Sequence, residues 1–373
     1  MVGLAALVVG PATVPHQSLS AQLGPALILE DSVILRETDD HYVGQPVSLI
    51  PVGDGSFLIA DGFSNSVLHF DSEGRYNKTF GRKGRDRGEF AFVSSAGFVA
   101  RDLVGIGDDH AHELELFELG SGRHIGAVAV SPSALVDEYV VRGDTLWFAG
   151  INTEGWTSVG LTTLNEVVSA ASSANEDGFV LSPDLLGAPR VYSENEVVMG
   201  VLPKVSLDAF EDRLLAGFAA SPRLLVANSY GAVLDSVEMP VARRRGLLSD
   251  DDLHALKPGP EVTGIFGQVS YLVKVSHTSN GFINTVHQES NYDPATRQMR
   301  GTFFVSSARV DGEQPCPDTL VPTSDAGLPE LTLEGDRLHV LDQRLGDRGV
   351  RTVIRTFRID PVNCTGGIVG AEG

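Results

Sequence analysis

The hydrophobic positions of this chain fall in short runs separated by Gly, Asp, Asn and Ser, and no long segment keeps the 3.6-residue apolar period of a helix. The clearest unit runs from Gln45 to Phe90. Residues 47–51 read as a strand, Gly53-Asp54-Gly55 as a turn, and residues 56–60 as a second strand ending at Asp61. Residues 66–70 alternate outward and inward, and Asp71-Ser72-Glu73-Gly74 is a hairpin turn before a strand over 75–80. Four short antiparallel strands in about forty residues have the size of one unit of a radial repeat.

The same rhythm places further units. Residues 98–107, 113–118 and 123–130 make a second, with Gly120-Ser121-Gly122 as its turn. Residues 134–142, 144–149, 158–163 and 166–170 make a third. Residues 171–196 break the rhythm and read as an insertion or a long connection. A fourth unit spans 198–240, with strands at 223–227 and 232–238 around Ser229-Tyr230-Gly231. Residues 268–275, 281–286 and 302–310 belong to a fifth, and 331–333, 337–341 and 352–359 supply three strands of a sixth.

Within the first unit, Gly55-Ser56-Phe57-Leu58-Ile59-Ala60-Asp61, Asn65-Ser66-Val67-Leu68-His69-Phe70-Asp71, Gly74, Phe80-Gly81-Arg82-Lys83-Gly84 and Gly88-Glu89-Phe90 resemble an NHL-type blade. Such blades build six-bladed propellers of the TolB-like superfamily. The resemblance covers about forty-five residues and implies an all-β, six-bladed β-propeller. NHL-like propellers include scaffolds, ligand sensors, lactonase relatives and lyases, so no single activity follows. Sandwiches and barrels share the turn rhythm, and counts of five or seven blades also fit units this degenerate.

The missing strand of the last unit bears on closure. A propeller closes when one terminus completes the blade begun by the other, which removes an open sheet edge. Residues 26–35 form a strand with no blade of their own. They are expected as the outermost strand of the last blade, within one domain spanning 26–364.

Composition narrows the function classes. A formal charge of -21 argues against nucleic-acid binding, which requires Lys and Arg to neutralise phosphates. It favours solubility, divalent cations or basic partners without choosing among them. Residues 4–9 are a short apolar run, too short to span a bilayer, and no later run does better. With Ser20-Ala21-Gln22 as a small-residue processing site, residues 1–21 read as a secretory signal or a disordered leader. Export to a periplasmic or extracellular space suits the two cysteines, Cys316 and Cys364. They form a disulfide bracketing the final blade or remain two buried thiols, and a bridge would contribute about 4 kcal/mol by loop closure.

Propeller topology sorts the candidate chemistry. Connections between second and third strands, and from blade to blade, share one face around the channel, where ligand sites of radial folds gather. That face collects Asp61, Asn65, Asp108, Asp109, His110, His112, His287, Glu289, Asp342 and Arg344. It also collects two basic runs, Arg82, Lys83, Arg85 and Arg87, and then Arg243, Arg244 and Arg245. The shortlist for ligand binding is Arg82, Arg85, His110, His112, Arg243, Arg244, His287 and Asp342. Convergent arginines would take a small anionic ligand through forked hydrogen bonds, or would pair with acids such as Asp250, Asp251 and Asp252. Asp61 reads as structural, accepting backbone N–H groups of the neighbouring loop. Asp108-Asp109-His110 and His112 could hold a metal, calcium through the carboxylates or zinc through the imidazoles, or form a solvated turn; calcium is the one cofactor kept as an expectation. There is no G-x-G-x-x-G, Walker loop, H-E-x-x-H or G-x-S-x-G. The expectation is an extracytoplasmic module binding a protein or a small anionic ligand on the channel face. The alternative is a metal-dependent, lactonase-like hydrolase or lyase, which would need several inner strands to aim carboxylates at one cation.

Overall fold

The computed structural model describes residues 24–130, 135–151, 157–173, 180–181, 186–187, 204–245, 270–293, 298–324, 329–346, 349–362, 364 and 368–369. Their strands form six antiparallel blades. Blade I comprises Pro46–Pro51, Phe57–Asp61, Ser66–Phe70 and Tyr76–Phe80, close to the strands read from the sequence. Blade II comprises Val93–Ala100, Leu103–Asp108, Glu113–Glu118 and His124–Val130. Blade III comprises Leu135–Arg142, Thr145–Ile151, Thr157–Thr163 and Leu186–Gly187. Blade IV comprises Val205–Phe210, Arg213–Phe218, Arg223–Asn228 and Val233–Glu238. Blade V comprises Ser270–His277, Phe282–Asp293, Gln298–Arg309 and Cys316–Leu320, and blade VI Glu330–Glu334, Arg337–Gly346 and Gly349–Asp360.

The N-terminal strand joins blade VI as expected, but it is not outermost, because Ile368–Val369 adds in parallel beyond it. Ala26–Ile34 pairs antiparallel with Gly349–Asp360 from Ala26↔Asp360 to Ile34↔Val353, with a bulge between Leu29 and Asp31. Six apolar clusters then fill the six blade-to-blade contacts. Phe80, Phe90 and Phe117 join blades I and II, while Trp147, Leu207 and Phe218 join III and IV. Val33, Leu341 and Ile354 of blade VI pack on Leu49, Ile59 and Phe70 of blade I. That last contact closes the ring, so every blade buries both of its faces.

Four local readings change. Residues 98–107 are two strands, because Arg101 and Asp102 form a turn inside that run. The span 166–170 is helical: Leu164–Ser172 is an α-helix capped by Thr163, whose side chain accepts from Glu166 N while the Glu166 carboxylate accepts from Thr163 N. Its buried Val167, Ala170 and Ala171 lie against the outer strand of blade II. A Cβ at Gly126 would collide with the Ala171 backbone, so this packing requires glycine there. Residues 171–196 are more than an insertion. Val180–Leu181 adds a parallel strand to the edge of blade II, and Leu186–Gly187 supplies the fourth strand of blade III. Finally, Cys316 lies in the outer strand of blade V, one blade ahead of the final one it was expected to bracket. Its disulfide to Cys364, with a Cα–Cα distance of 5.7 Å, ties blade V to the segment beyond the third strand of blade VI.

Candidate functional site

The channel-face connections are held by buried carboxylates. Asp61, at the end of the second strand of blade I, accepts the backbone N–H groups of Gly44 and Gln45 from the incoming connection, and of Ser64. Asp108 occupies the same place in blade II and accepts from Ala91, Phe92, His110 and Ala111. In blade VI, Asp342 accepts from Ser324 N at 2.8 Å and from Arg355 at 2.8 Å. In blade V the job passes to the outer strand, where Asp318 accepts from Ala242 N, Arg243 N and Arg244 N. These side chains satisfy donors that the change of direction leaves unpaired. The structural reading of Asp61 therefore extends to Asp108 and Asp342.

The shortlisted residues do not converge on one point. Arg244 is buried and bonds Asp318 at 3.2 Å and the Pro240 carbonyl at 3.1 Å. His287 is buried beside it, with Nδ1 unpartnered, and burial holds its pKa well below the ordinary value, with the Arg244 charge adding to the effect. Arg243 is exposed. Among the described residues, Asp318 and Glu289 meet this run; Asp250, Asp251 and Asp252 lie outside the described residues. On blades I and II, Arg82 is exposed and pairs with Glu89 at 2.6 Å. His112, at φ 56°, has a buried, unpartnered Nδ1 and lines a cavity of about 10 Å³ with Asp109 and Glu113. That space fits one water molecule. Asp108 is fully engaged with backbone, and Asp109 bonds Ser94 Oγ at 2.6 Å.

Arg85 and His110 do come together. With Arg87, Asp86, Glu113, Glu115 and His124 they line a cleft of about 670 Å³ between the I-to-II connection and the outer half of blade II. The third strand of blade II aims Glu113 and Glu115 to one side, with Leu114 and Leu116 turned into the opposite apolar layer. Across the ladder, Glu113 faces Ala129 and Glu115 faces Ala127, small residues that leave the floor open. His124 Nε2 bonds the Glu115 carboxylate. Burial pushes both carboxyl pKa values up; His124 opposes the shift at Glu115, and Arg87 opposes it at Glu113. A neighbouring depression of about 430 Å³ carries the cleft along Arg85 and His110 to Phe92 and Asp109.

Beside the cleft stands an aromatic rim. Tyr42, Phe63 and Phe92 are 43%, 61% and 50% exposed and sit on three connections of the same face. Tyr42 and Phe63 touch, with ring centroids 6.0 Å apart. Sequence reasoning missed these rings and also Glu113, Glu115 and His124. The available signals were aromatic residues inside turn segments and the Glu-Leu-Glu-Leu alternation of 113–116.

The channel itself carries charges that neutralise one another. Glu138 of blade III bonds Lys274 of blade V at 2.8 Å, and also accepts from Ser206 Oγ and Leu207 N of blade IV. Burial raises Glu330 to about 7, with Lys274 and Lys204 opposing and Glu138 reinforcing, and burial raises Asp208 to about 6. Among the described residues, no three His, Cys, Asp or Glu side chains are placed to hold a metal ion.

Solved structures share this architecture. A member of the DUF4221 family from Bacteroides vulgatus superposes with a TM-score of 0.57 at 11% identity, covering 91% of this chain and 99% of that one. A Bacteroides fragilis protein presumed to be exported gives 0.58 at 10% identity, covering 92% and 98%. A protein of unknown function from Bacteroides thetaiotaomicron gives 0.50 at 11% identity, covering 87% and 72%. At these identities the likeness shows the six-bladed fold. No protein-family model and no curated protein matches the sequence.

Proposed function

We propose that the chain is an extracytoplasmic protein-binding propeller whose partner docks on the channel face above blades I and II. One observation carries this reading: Tyr42, Phe63 and Phe92 are exposed together on a face whose connections are pinned by buried carboxylates. Rigid aromatic rings give large contact area at low entropic cost. Asp39 and Asp40 are exposed next to Tyr42, and the chain carries a net charge of -21. Both favour a partner that presents basic residues around an apolar contact. The disulfide, and the Bacteroides fragilis neighbour presumed to be exported, support an oxidising, extracytoplasmic setting. The NHL-type pattern of blade I supports kinship with that group of propellers.

The lactonase-like reading is weaker. It needs a convergent ligand set on the axis, whereas Glu138 is already matched by the Lys274 ammonium. The docking reading is tested by placing a photo-crosslinking amino acid at Phe63, or at Tyr230 on the opposite face, in the producing cell. A discrete adduct from position 63, weakened by high salt and absent from position 230, supports it. Equal adducts from both positions, or none from 63, overturn it.

A further inference from the structure

From the unpaired groups of opposite sign that face one cavity, we infer that the cleft between blades I and II binds a zwitterionic ligand of the amino-acid or short-peptide type. Its carboxylate is held at Arg85 and Arg87, and its ammonium at Glu113. The proposal rests on different groups from the protein docking surface on the aromatic rim, with which the neighbouring depression shares Phe92.

Three observations carry it. Arg85 and Arg87 line the mouth, and among the described residues neither guanidinium makes a hydrogen bond or an ion pair within 4 Å. This is unlike Arg82 three residues earlier, which is locked to Glu89. Glu113 is half-buried on the floor, and its carboxylate likewise has no hydrogen-bond partner among the described residues. Its neighbour Glu115 is already matched by His124, so Glu113 is the acceptor left for a ligand. Arg85 and Arg87 are exposed, so the cost of an unmatched charge falls on the half-buried Glu113, which a purely anionic ligand would leave without a donor. A ligand with both charges satisfies both.

Size and lining agree. A cleft of about 670 Å³ suits a small polar molecule. Apart from Ile125, the walls are small or polar, with Ala111, Gly126, Ala127 and Ala129 leaving room for backbone rather than gripping a large apolar body. A dianionic phosphate fits poorly, because Asp86, Glu113 and Glu115 share the lining with the arginines. Phe92, where the depression runs out, offers a ring to a ligand side chain.

The test is calorimetric titration of the purified full chain with each standard amino acid and each alanyl dipeptide. For the best binder, the N-acetylated and the C-amidated forms follow. Saturable binding is expected, and blocking either terminus should weaken it at least about tenfold, as loss of a charge-assisted hydrogen bond does. Glu113→Gln should abolish the penalty for N-acetylation while keeping that for amidation. The Arg85→Ala/Arg87→Ala double variant should do the reverse. Absence of saturable heat across the panel, or penalties unchanged in both variants, would overturn the assignment. The blocked ligands act on the unaltered protein, so a variant that fails to fold does not decide the matter.

Discussion

Removing the Asp108 carboxylate should cost far more than its single side chain suggests. Asp108 is 3% exposed and accepts four backbone N–H groups, from Ala91 at 2.6 Å, Phe92 at 3.2 Å, His110 at 2.9 Å and Ala111 at 3.1 Å. In Asp108→Ala all four lose their acceptor. A buried donor left unmade costs about 1–3 kcal/mol, and those near the surface recover part of this from water. The expected loss is therefore about 3–5 kcal/mol. Asp108→Asn keeps the shape but turns an amide N–H toward the same donors, and should cost about 2 kcal/mol. Asp235→Ala serves as the control. Among the described residues that carboxylate accepts from its neighbour Ser236 N alone, at an exposed site, so its loss should stay within about 0.5 kcal/mol. Urea denaturation measures the change, and amide hydrogen exchange at Ala91, Phe92, His110 and Ala111 localises it. If Asp108→Ala falls within 1 kcal/mol of Asp235→Ala, or exchange quickens elsewhere and not at those amides, the clasp reasoning is wrong.

Two further outcomes follow from charge and crosslinking. Glu330, raised from 4.5 to about 7, takes up a proton on folding, so its contribution is present in acid and is lost as pH rises through the folded value. The full shift corresponds to about 3 kcal/mol, and water reaching the channel reduces that to about 2. Asp208, raised to about 6, acts in the same direction over a lower window. Melting at pH 5.5 and pH 8 should show the parent less stable at pH 8 and Glu330→Gln less pH-dependent; an unchanged slope in the variant refutes this. For the disulfide, a sequence separation of 48 residues predicts a loss of about 4 kcal/mol on reduction. Two cysteines freely alkylated in the denatured, unreduced protein would contradict the bridge.

Blade I was legible because short apolar runs are bounded by turns that carry Asp-Gly or Glu-Gly at the hairpins; the alternation expected over 66–70 is not observed, since both middle strands are buried throughout. Closure was legible as a deficit, three strands at one end and one spare at the other. The helix was not, because nine residues hold too few turns to establish a period; its one sequence mark was Thr163 followed three residues later by Glu166. The outer strand of blade V, Cys-Pro-Asp-Thr-Leu, looks like a loop, since Pro and Asp are disfavoured in strands. There Asp318 is present for its carboxylate and not for its propensity. The cleft was hidden for another reason. Its residues come from the I-to-II connection, three strands and a loop of blade II, and the end of the helix, and which face of a strand meets the preceding blade is set by the stacking of the ring.

The clasps explain why one connection presents functional groups and another does not. The I-to-II connection is held at its far end by Asp108 and within its loop by Glu89, which binds Arg82 and accepts from Arg85 N and Asp86 N. Gly84 is needed because a Cβ there would strike the Glu89 side chain. Between these anchors Arg85 and Arg87 project with their guanidiniums uncommitted, so binding them loses little backbone entropy. The connection entering blade V is clasped just as firmly by Asp318. Its Arg244, however, folds back into the clasp and becomes part of the support. A buried carboxylate thus fixes a connection, and the pairing of the arginines between its anchors decides whether that connection can meet a ligand.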